Sequence, residues 1–224
     1  MNNLQKRTES PFAILRKPFH STLKRLFDII VSIFSLLILS PIFIILSLFI
    51  IVEDGFPIFF KQRRSGLNDN EFKMYKFRSM INKPSAKNEK TTNIYNWVNG
   101  VPDEFVFKTS SETNPNITKI GSFIRKYSLD ELPQFYNVLK GEMSIIGPRP
   151  EIIEITRCYN SVQKRRLSVK PGITGMAQVN GRSDINHGEK IAFDLLYVDN
   201  FSIWLDLKIF YKTIIQVFTG KGSV

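Results

Sequence analysis

Residues 29–52 read IIVSIFSLLILSPIFIILSLFIIV and contain no charge. As one helix at ~1.5 Å per residue the run would reach about 36 Å, enough to cross a bilayer. It is too long for a signal-peptide core and has no small-residue cleavage site, so it reads as a retained membrane element. Ser40-Pro41 stands at its centre. A proline there removes one helix hydrogen bond and crowds the preceding turn, which favours a sharp bend. Each half, about 18 Å long, falls short of the ~30 Å hydrocarbon core.

The flanks bear on orientation. Residues 1–25 carry six Lys/Arg against one acid, and Lys61, Arg63 and Arg64 follow the apolar run closely. Basic residues at both ends orient no spanning helix and suit a re-entrant hairpin with both ends cytoplasmic. A kinked spanning helix is the alternative, because lipid-embedded helices tolerate proline. Asp28 is expected to pair with Lys24 and Arg25 at the interface.

A second informative tract covers residues 128–151, SLDELPQFYNVLKGEMSIIGPRPE. Ser128 and Glu131 have the spacing of a capping box, whereas Pro133 fits better behind an Asp130 cap. Either assignment puts Asp130-Glu131 at a helix start, where free amides and the helix dipole attract phosphate. Two carboxylates would repel that phosphate unless a divalent cation bridges them, so phosphate binding here implies Mg²⁺. The plainer reading is a helix cap alone. Downstream, Gly147-Pro148-Arg149-Pro150 holds one Arg on a stiff loop, ready for two-pronged contact with phosphate oxygens or simply solvated on a turn.

Composition bounds the rest. With 224 residues, 43% of them hydrophobic, the chain can bury one good core beside the apolar segment. Its single cysteine, Cys158, excludes an intramolecular disulfide and a cysteine metal cage. The net charge of +11 implies acidic partners, among which nucleic acid, anionic lipid and nucleotide-linked substrates all qualify.

Residues 57–62 and 71–77 read as two strands around Gly66-Leu67-Asn68-Asp69. Lys76 and Arg78 follow as a basic pair able to meet phosphate or to sit solvated at a strand end. Residues 81–116, rich in Asn, Lys, Ser and Thr, read as a variable loop. KPGITGMAQVNGR (residues 170–182) reads as a tight glycine-rich loop without a Walker or dinucleotide pattern. Its Gln178, Asn180 and Arg182 either read a base or diphosphate or stabilise the loop. Ile203, Leu207, Phe210, Ile214 and Phe218 keep helical spacing, with Gly220 as a stop. That helix either packs on the core or lies at a membrane interface.

Taken in chain order, KRLFD, Ser40-Pro41, FFKQRRSG, KMYKFRSM, SLDELPQFYNVLKGEMSIIGPRP, KPGITGMAQVNGR and FDLLYVDNFSIWLDLKI resemble the bacterial sugar transferase family. These are the small monotopic phosphoglycosyltransferases that start glycan assembly on polyprenol phosphate. The resemblance spans about residues 22–219. It implies that Asp130 attacks the sugar-side phosphate of a UDP-sugar, releases UMP and carries the phosphosugar until undecaprenyl phosphate accepts it. It makes Glu131 the Mg²⁺ ligand and Lys76, Arg78, Arg149, Gln178, Asn180, Arg182 and Asp194 substrate-binding residues, with Asp28, Ser40 and Pro41 shaping membrane re-entry.

The expected architecture is a compact mixed α/β domain (residues 55–224) behind a basic tail (1–22) and a re-entrant membrane helix (23–54), with interfacial amphipathic helices. The expected place is the bacterial cytoplasmic membrane, its site on the cytoplasmic face. The expected partners are the donor, the lipid acceptor, an anionic membrane surface, a second copy in a homodimer and downstream glycosyltransferases. No nucleic acid is expected, since charge without a recognition motif is thin support for it; an inactive membrane scaffold is the alternative function. The chain departs from the family at Asn114-Pro115-Asn116, where Asp-Pro-Arg is usual, and at Met176, where Trp is common. His187, where an aromatic is usual nearby, reads as a surface histidine.

Overall fold

The computed structural model describes residues 11–81, 97–106, 114–181 and 185–219, with side chains from residue 21 onward except at 218. Arg182, Gly220, the start of the basic tail and most of the predicted variable loop lie outside these residues, as does the side chain of Phe218.

Helices α1 (Pro11–Ile38) and α2 (Ser40–Asp54) divide the apolar run at Ser40-Pro41, where the sequence predicts a bend. They meet at an angle of 59°, and neither alone is long and apolar enough to cross a membrane. The break follows from the dipeptide at its centre. Pro41 has no N–H to donate to the carbonyl of Leu37 one turn earlier. The Ser40 hydroxyl donates to that same carbonyl at 2.8 Å, so the bend leaves no acceptor stranded there. Ile33, Phe34, Leu37, Ile44, Ile45 and Leu48 are exposed, and Val52 is 85% exposed. A contiguous apolar face of this kind marks contact with lipid or protein.

The other faces of the pair are fastened to the rest of the chain. Asp28, expected to pair with Lys24 and Arg25, instead accepts from Ser144 Oγ at 3.0 Å and from the Ile145 amide at 2.9 Å. The reason is burial: the residue is 2% exposed, and a buried carboxylate needs donors at hydrogen-bond distance. Lys24 pairs with Asp206 at 2.8 Å. Leu46 and Ile50 of α2 pack into a cluster with Phe77 and Ile124, flanked by Leu129 and Leu132.

Strands β1 (Phe59–Ser65) and β2 (Glu71–Phe77) form an antiparallel hairpin in register from Phe59 opposite Phe77 to Ser65 opposite Glu71. Then come α3 (Lys119–Lys126), α4 (Gln134–Lys140), β3 (Ser144–Ile146), α5 (Ile153–Thr156), α6 (Ser161–Lys164), β4 (Gly172–Thr174), α7 (Met176–Asn180), α8 (His187–Asp199) and α9 (Ile203–Thr219). β3 pairs with β4 in parallel. Gly147 and Gly172 permit this approach: a Cβ on Gly172 would lie 2.1 Å from the Gly147 nitrogen. The main core gathers Met74, Val138, Met143, Ile145, Ile146, Val179, Tyr197 and Ile209. α9 divides the predicted stripe. Phe210 packs against that core, whereas Leu207 and Ile214 are exposed and Trp204 is 82% exposed.

Candidate active site

Asp130 and Glu131 lie in a 3-10 turn, Leu129–Glu131, that precedes α4. Ser128 turns the chain there with φ 55° and caps nothing through its side chain. Pro133 occupies the cap position of α4, so neither proposed capping arrangement forms. The carboxylates are released from helix capping, and the turn is anchored by Leu129 and Leu132 in the cluster that also holds α2.

Two cations clasp the pair. Strand alternation buries Phe77 and directs Lys76 to the opposite side. Lys76 Nζ lies 2.8 Å from Glu131 Oε1 and 3.4 Å from Asp130 Oδ2. Arg149 donates through both terminal nitrogens to Glu131, Nη1 at 3.2 Å from Oε2 and Nη2 to Oε1. The Gly-Pro-Arg-Pro loop therefore delivers the two-pronged contact that its sequence suggested, but to a carboxylate in the resting protein.

This environment separates the two acids. Burial pushes the Asp130 carboxyl above its ordinary value, opposed by Lys76 and reinforced by the charge of Glu131. Burial acts on Glu131 in the same sense, but Arg149 and Lys76 outweigh it and hold that carboxylate well below the usual range. Glu131 in turn raises Arg149. The two carboxyls are thus shifted in opposite directions, Asp130 toward the more basic side and Glu131 toward the more acidic.

Among the described residues no group of three or more His, Cys, Asp or Glu gathers to hold a metal. A carboxylate pair still suits Mg²⁺, a hard cation commonly bound through one or two carboxylates and completed by substrate phosphates and water. The donor set fits an ion shared with substrate.

The other predicted residues are dispersed. Arg78 is 6% exposed, so it turns away from the pair. Its Nη2 donates to the carbonyls of Asp54 and Gly55 at 2.8 and 2.7 Å. There it closes the C-terminal end of α2, where a cation is favoured. Asp194 has no exposed surface and is paired with Arg166, which leaves it no access to substrate. Gln178 is half-buried, with both amide atoms enclosed and unpartnered. Asn180 is exposed, donates to the Met176 carbonyl at 2.8 Å and accepts from Lys212 at 3.3 Å. His187, read as a surface residue, is 4% exposed between the rings of Phe105 and Tyr159. Aromatic neighbours contributed by distant segments bury it.

A family model described as "Bacterial sugar transferase" matches residues 19–220. The chain belongs to the bacterial sugar transferase family. The chain is 44% identical over 208 residues to the galactosyl transferase CpsE of Streptococcus agalactiae serotype III, covering 91% of this chain and 44% of that protein. It is 36% identical over 231 residues to the exopolysaccharide production protein ExoY of Rhizobium meliloti, covering the whole of both. A third relative is the UDP-glucose:undecaprenyl-phosphate glucose-1-phosphate transferase of Klebsiella pneumoniae, 39% identical over 238 residues and covered to 47%. The chain thus spans less than half of CpsE and of the Klebsiella enzyme, and all of ExoY.

Several supports of the candidate site escaped the sequence reading. Asn137 accepts from the Tyr75 amide at 3.0 Å and donates to the Lys73 carbonyl at 2.8 Å and Glu142 Oε2 at 2.7 Å. It ties α4 to the strand that carries Lys76. Arg64, Glu151, Arg166 and Lys190 form charged contacts behind the Arg149 loop. In sequence they are indistinguishable from solvated charges, and of the four basic and acidic residues only Arg64 enters the sequence reading as a charge, in the basic flank after the apolar run.

Proposed function

We propose that this protein transfers a sugar 1-phosphate from a UDP-sugar to undecaprenyl phosphate, through a covalent phosphosugar on Asp130. The observation that carries the reading is the Asp130–Glu131 pair clasped by Lys76 and Arg149. The activity for which the Klebsiella relative is named and the family membership support the substrate class.

In the first step an Asp130 oxygen bonds to the sugar-side phosphorus, the P–O bond to the uridine-side phosphate breaks, and UMP leaves with that bridging oxygen. In the second, an oxygen of the lipid phosphate attacks the same phosphorus. The bond to Asp130 breaks, a sugar-diphospholipid forms and the carboxylate returns. Splitting the transfer this way gives ping-pong kinetics. Lys76 and Arg149 exchange carboxylate contacts for phosphate oxygens as the donor enters, which places positive charge where the leaving group develops negative charge. Glu131 would hold Mg²⁺, which when bound supplies charge neutralisation for the diphosphate.

The bent α1–α2 pair is a re-entrant hairpin whose two ends face the cytoplasm. Its exposed apolar face and the exposed Trp204 on α9 support placement in the interface of the bacterial cytoplasmic membrane. The test is intact-mass analysis and UMP release with Mg²⁺ and a panel of UDP-sugars, without lipid. An adduct of phosphosugar mass that is missing from Asp130→Asn supports the reading; UMP release only when lipid is added would replace it with a direct ternary transfer.

A further inference from the structure

Behind the Arg149 loop lies a buried ion pair that the reaction above does not use. Arg166 is 1% exposed and Asp194 is fully buried. Arg166 Nε donates to Asp194 Oδ2 at 2.8 Å, Nη1 to the Tyr159 hydroxyl at 2.9 Å and Nη2 to the backbone carbonyl of Arg149 at 2.8 Å. The neighbouring carbonyls are held too. Pro148 accepts from the Gly172 amide at 2.9 Å and Glu151 from the Ser65 amide at 3.1 Å. Pro150 accepts from Arg64 Nη1 at 3.2 Å. Successive carbonyls from Pro148 to Glu151 are thus each held, the last two by adjacent residues of β1.

The cluster has no room for a ligand. The cavity bordered by Ser65, Arg149, Glu151 and Arg166 measures ≈ 10 Å³, about the space of one water. Stability is a poor reason for the pair, because well-packed apolar residues commonly replace a buried ion pair without loss. Geometry is a better one. The planar guanidinium offers donors in three fixed directions, which a lysine ammonium does not reproduce.

We propose that Arg166, itself oriented by Asp194 and Tyr159, is a positioning residue for Arg149. By fixing the Arg149 carbonyl it sets the base from which that guanidinium reaches Glu131 and the incoming phosphate. The inference rests on the proposed role of Arg149 in the transfer.

The test is a double-mutant cycle on UMP release from the UDP-sugar that forms the adduct, with thermal unfolding measured on every variant. Arg166→Lys lowers kcat/KM by about tenfold in the presence of Arg149, the scale of a slightly misplaced group. In an Arg149→Ala background the same change costs nothing further. Tyr159→Phe removes one acceptor from Arg166 with little change of volume, and it serves the same cycle, with about a threefold loss, if Arg166→Lys fails to fold. An equal loss in both backgrounds, or a lower melting temperature with kcat/KM unchanged, overturns the positioning role while leaving Arg149 in the mechanism. Full activity of Arg149→Ala overturns the role of Arg149 itself, and the positioning role with it.

Discussion

Lys76 Nζ stands 3.4 Å from Asp130 Oδ2, on the carboxylate whose proton affinity burial has raised. That contact opposes the burial that favours the acid form of the proposed nucleophile. Replacing Asp130 by Asn turns the nucleophilic carboxylate into a neutral amide with almost no change in shape. The expected outcome is a loss of at least ~10³ in transfer rate and no covalent adduct. Circular dichroism and membrane flotation should match the parent; retained turnover removes Asp130 from the mechanism.

Lys76→Met takes away the ammonium that bridges both acids. Asp130 then titrates higher still and Glu131 keeps only Arg149, so turnover at neutral pH should fall by about 10² or more. Raising the pH should recover part of it, as measured by UMP release across a pH series.

Asn137 is fully buried, and Asn137→Leu leaves the Tyr75 amide and Lys73 carbonyl without the bonds it supplied. A loss of about 2–3 kcal/mol is expected in denaturant unfolding. Because Tyr75 adjoins Lys76, activity measured well below the unfolding midpoint should also decline.

His187 supplies a pH dependence of stability. Burial, with Lys190 and Arg166 adding repulsion and Glu151 opposing, lowers its folded pKa from 6.5 to about 4. The unfolded chain therefore binds the proton first as pH falls. Stability is complete above about pH 6.5 and declines toward pH 4, after which this contribution is flat. Glu151, held at about 2 against the raising effect of burial by Lys190, Arg166 and Arg64, acts in a separate window. Its contribution is present above pH 4.5 and disappears as pH falls toward 2. Melting temperatures between pH 7 and 4 should drop by a few degrees in the parent, and much less in His187→Gln.

A re-entrant hairpin returns the chain to the side it came from. Tags at residues 1 and 224 should be digested together by protease added to inverted vesicles. Protection of one tag alone would mean that the apolar pair spans the membrane.

Much of this arrangement was legible because local physics fixed it. Pro41 breaks the helix for want of one N–H, and the β1–β2 hairpin follows from alternation around a turn. Its pairing extends to Ser65, beyond the expected end at residue 62, because tertiary contacts continue the ladder. The acidic pair and Arg149 were visible as chemistry. What spacing could not give was the 3-10 turn that frees Asp130 from capping, since Ser128 turns the chain at φ 55° and Leu129 and Leu132 pack against a cluster drawn from segments remote in sequence. Strands as short as β3 and β4 carry no readable period. Arg78, Asp194 and His187 were misplaced for a common reason: their surroundings come from segments remote in sequence, and burial decides what a polar side chain can touch.

The fastening of α1 has a practical corollary. Arg25 donates to the carbonyls of Val138 and Leu139 at 2.5 and 2.7 Å, closing the end of the helix that begins just after the acidic pair, while Asp28 satisfies the start of β3. At the far end, Glu53 accepts from the amides of Lys119 and Ile120 at 2.6 and 2.9 Å. A shortened protein beginning at residue 55 would expose these groups together and strip one wall from the Phe77 cluster beneath the dyad. The apolar helix pair cannot be treated as a detachable anchor: trimming it removes part of the support of the candidate site, so redesign for solubility has to recolour its exposed apolar side chains and leave the inner face untouched.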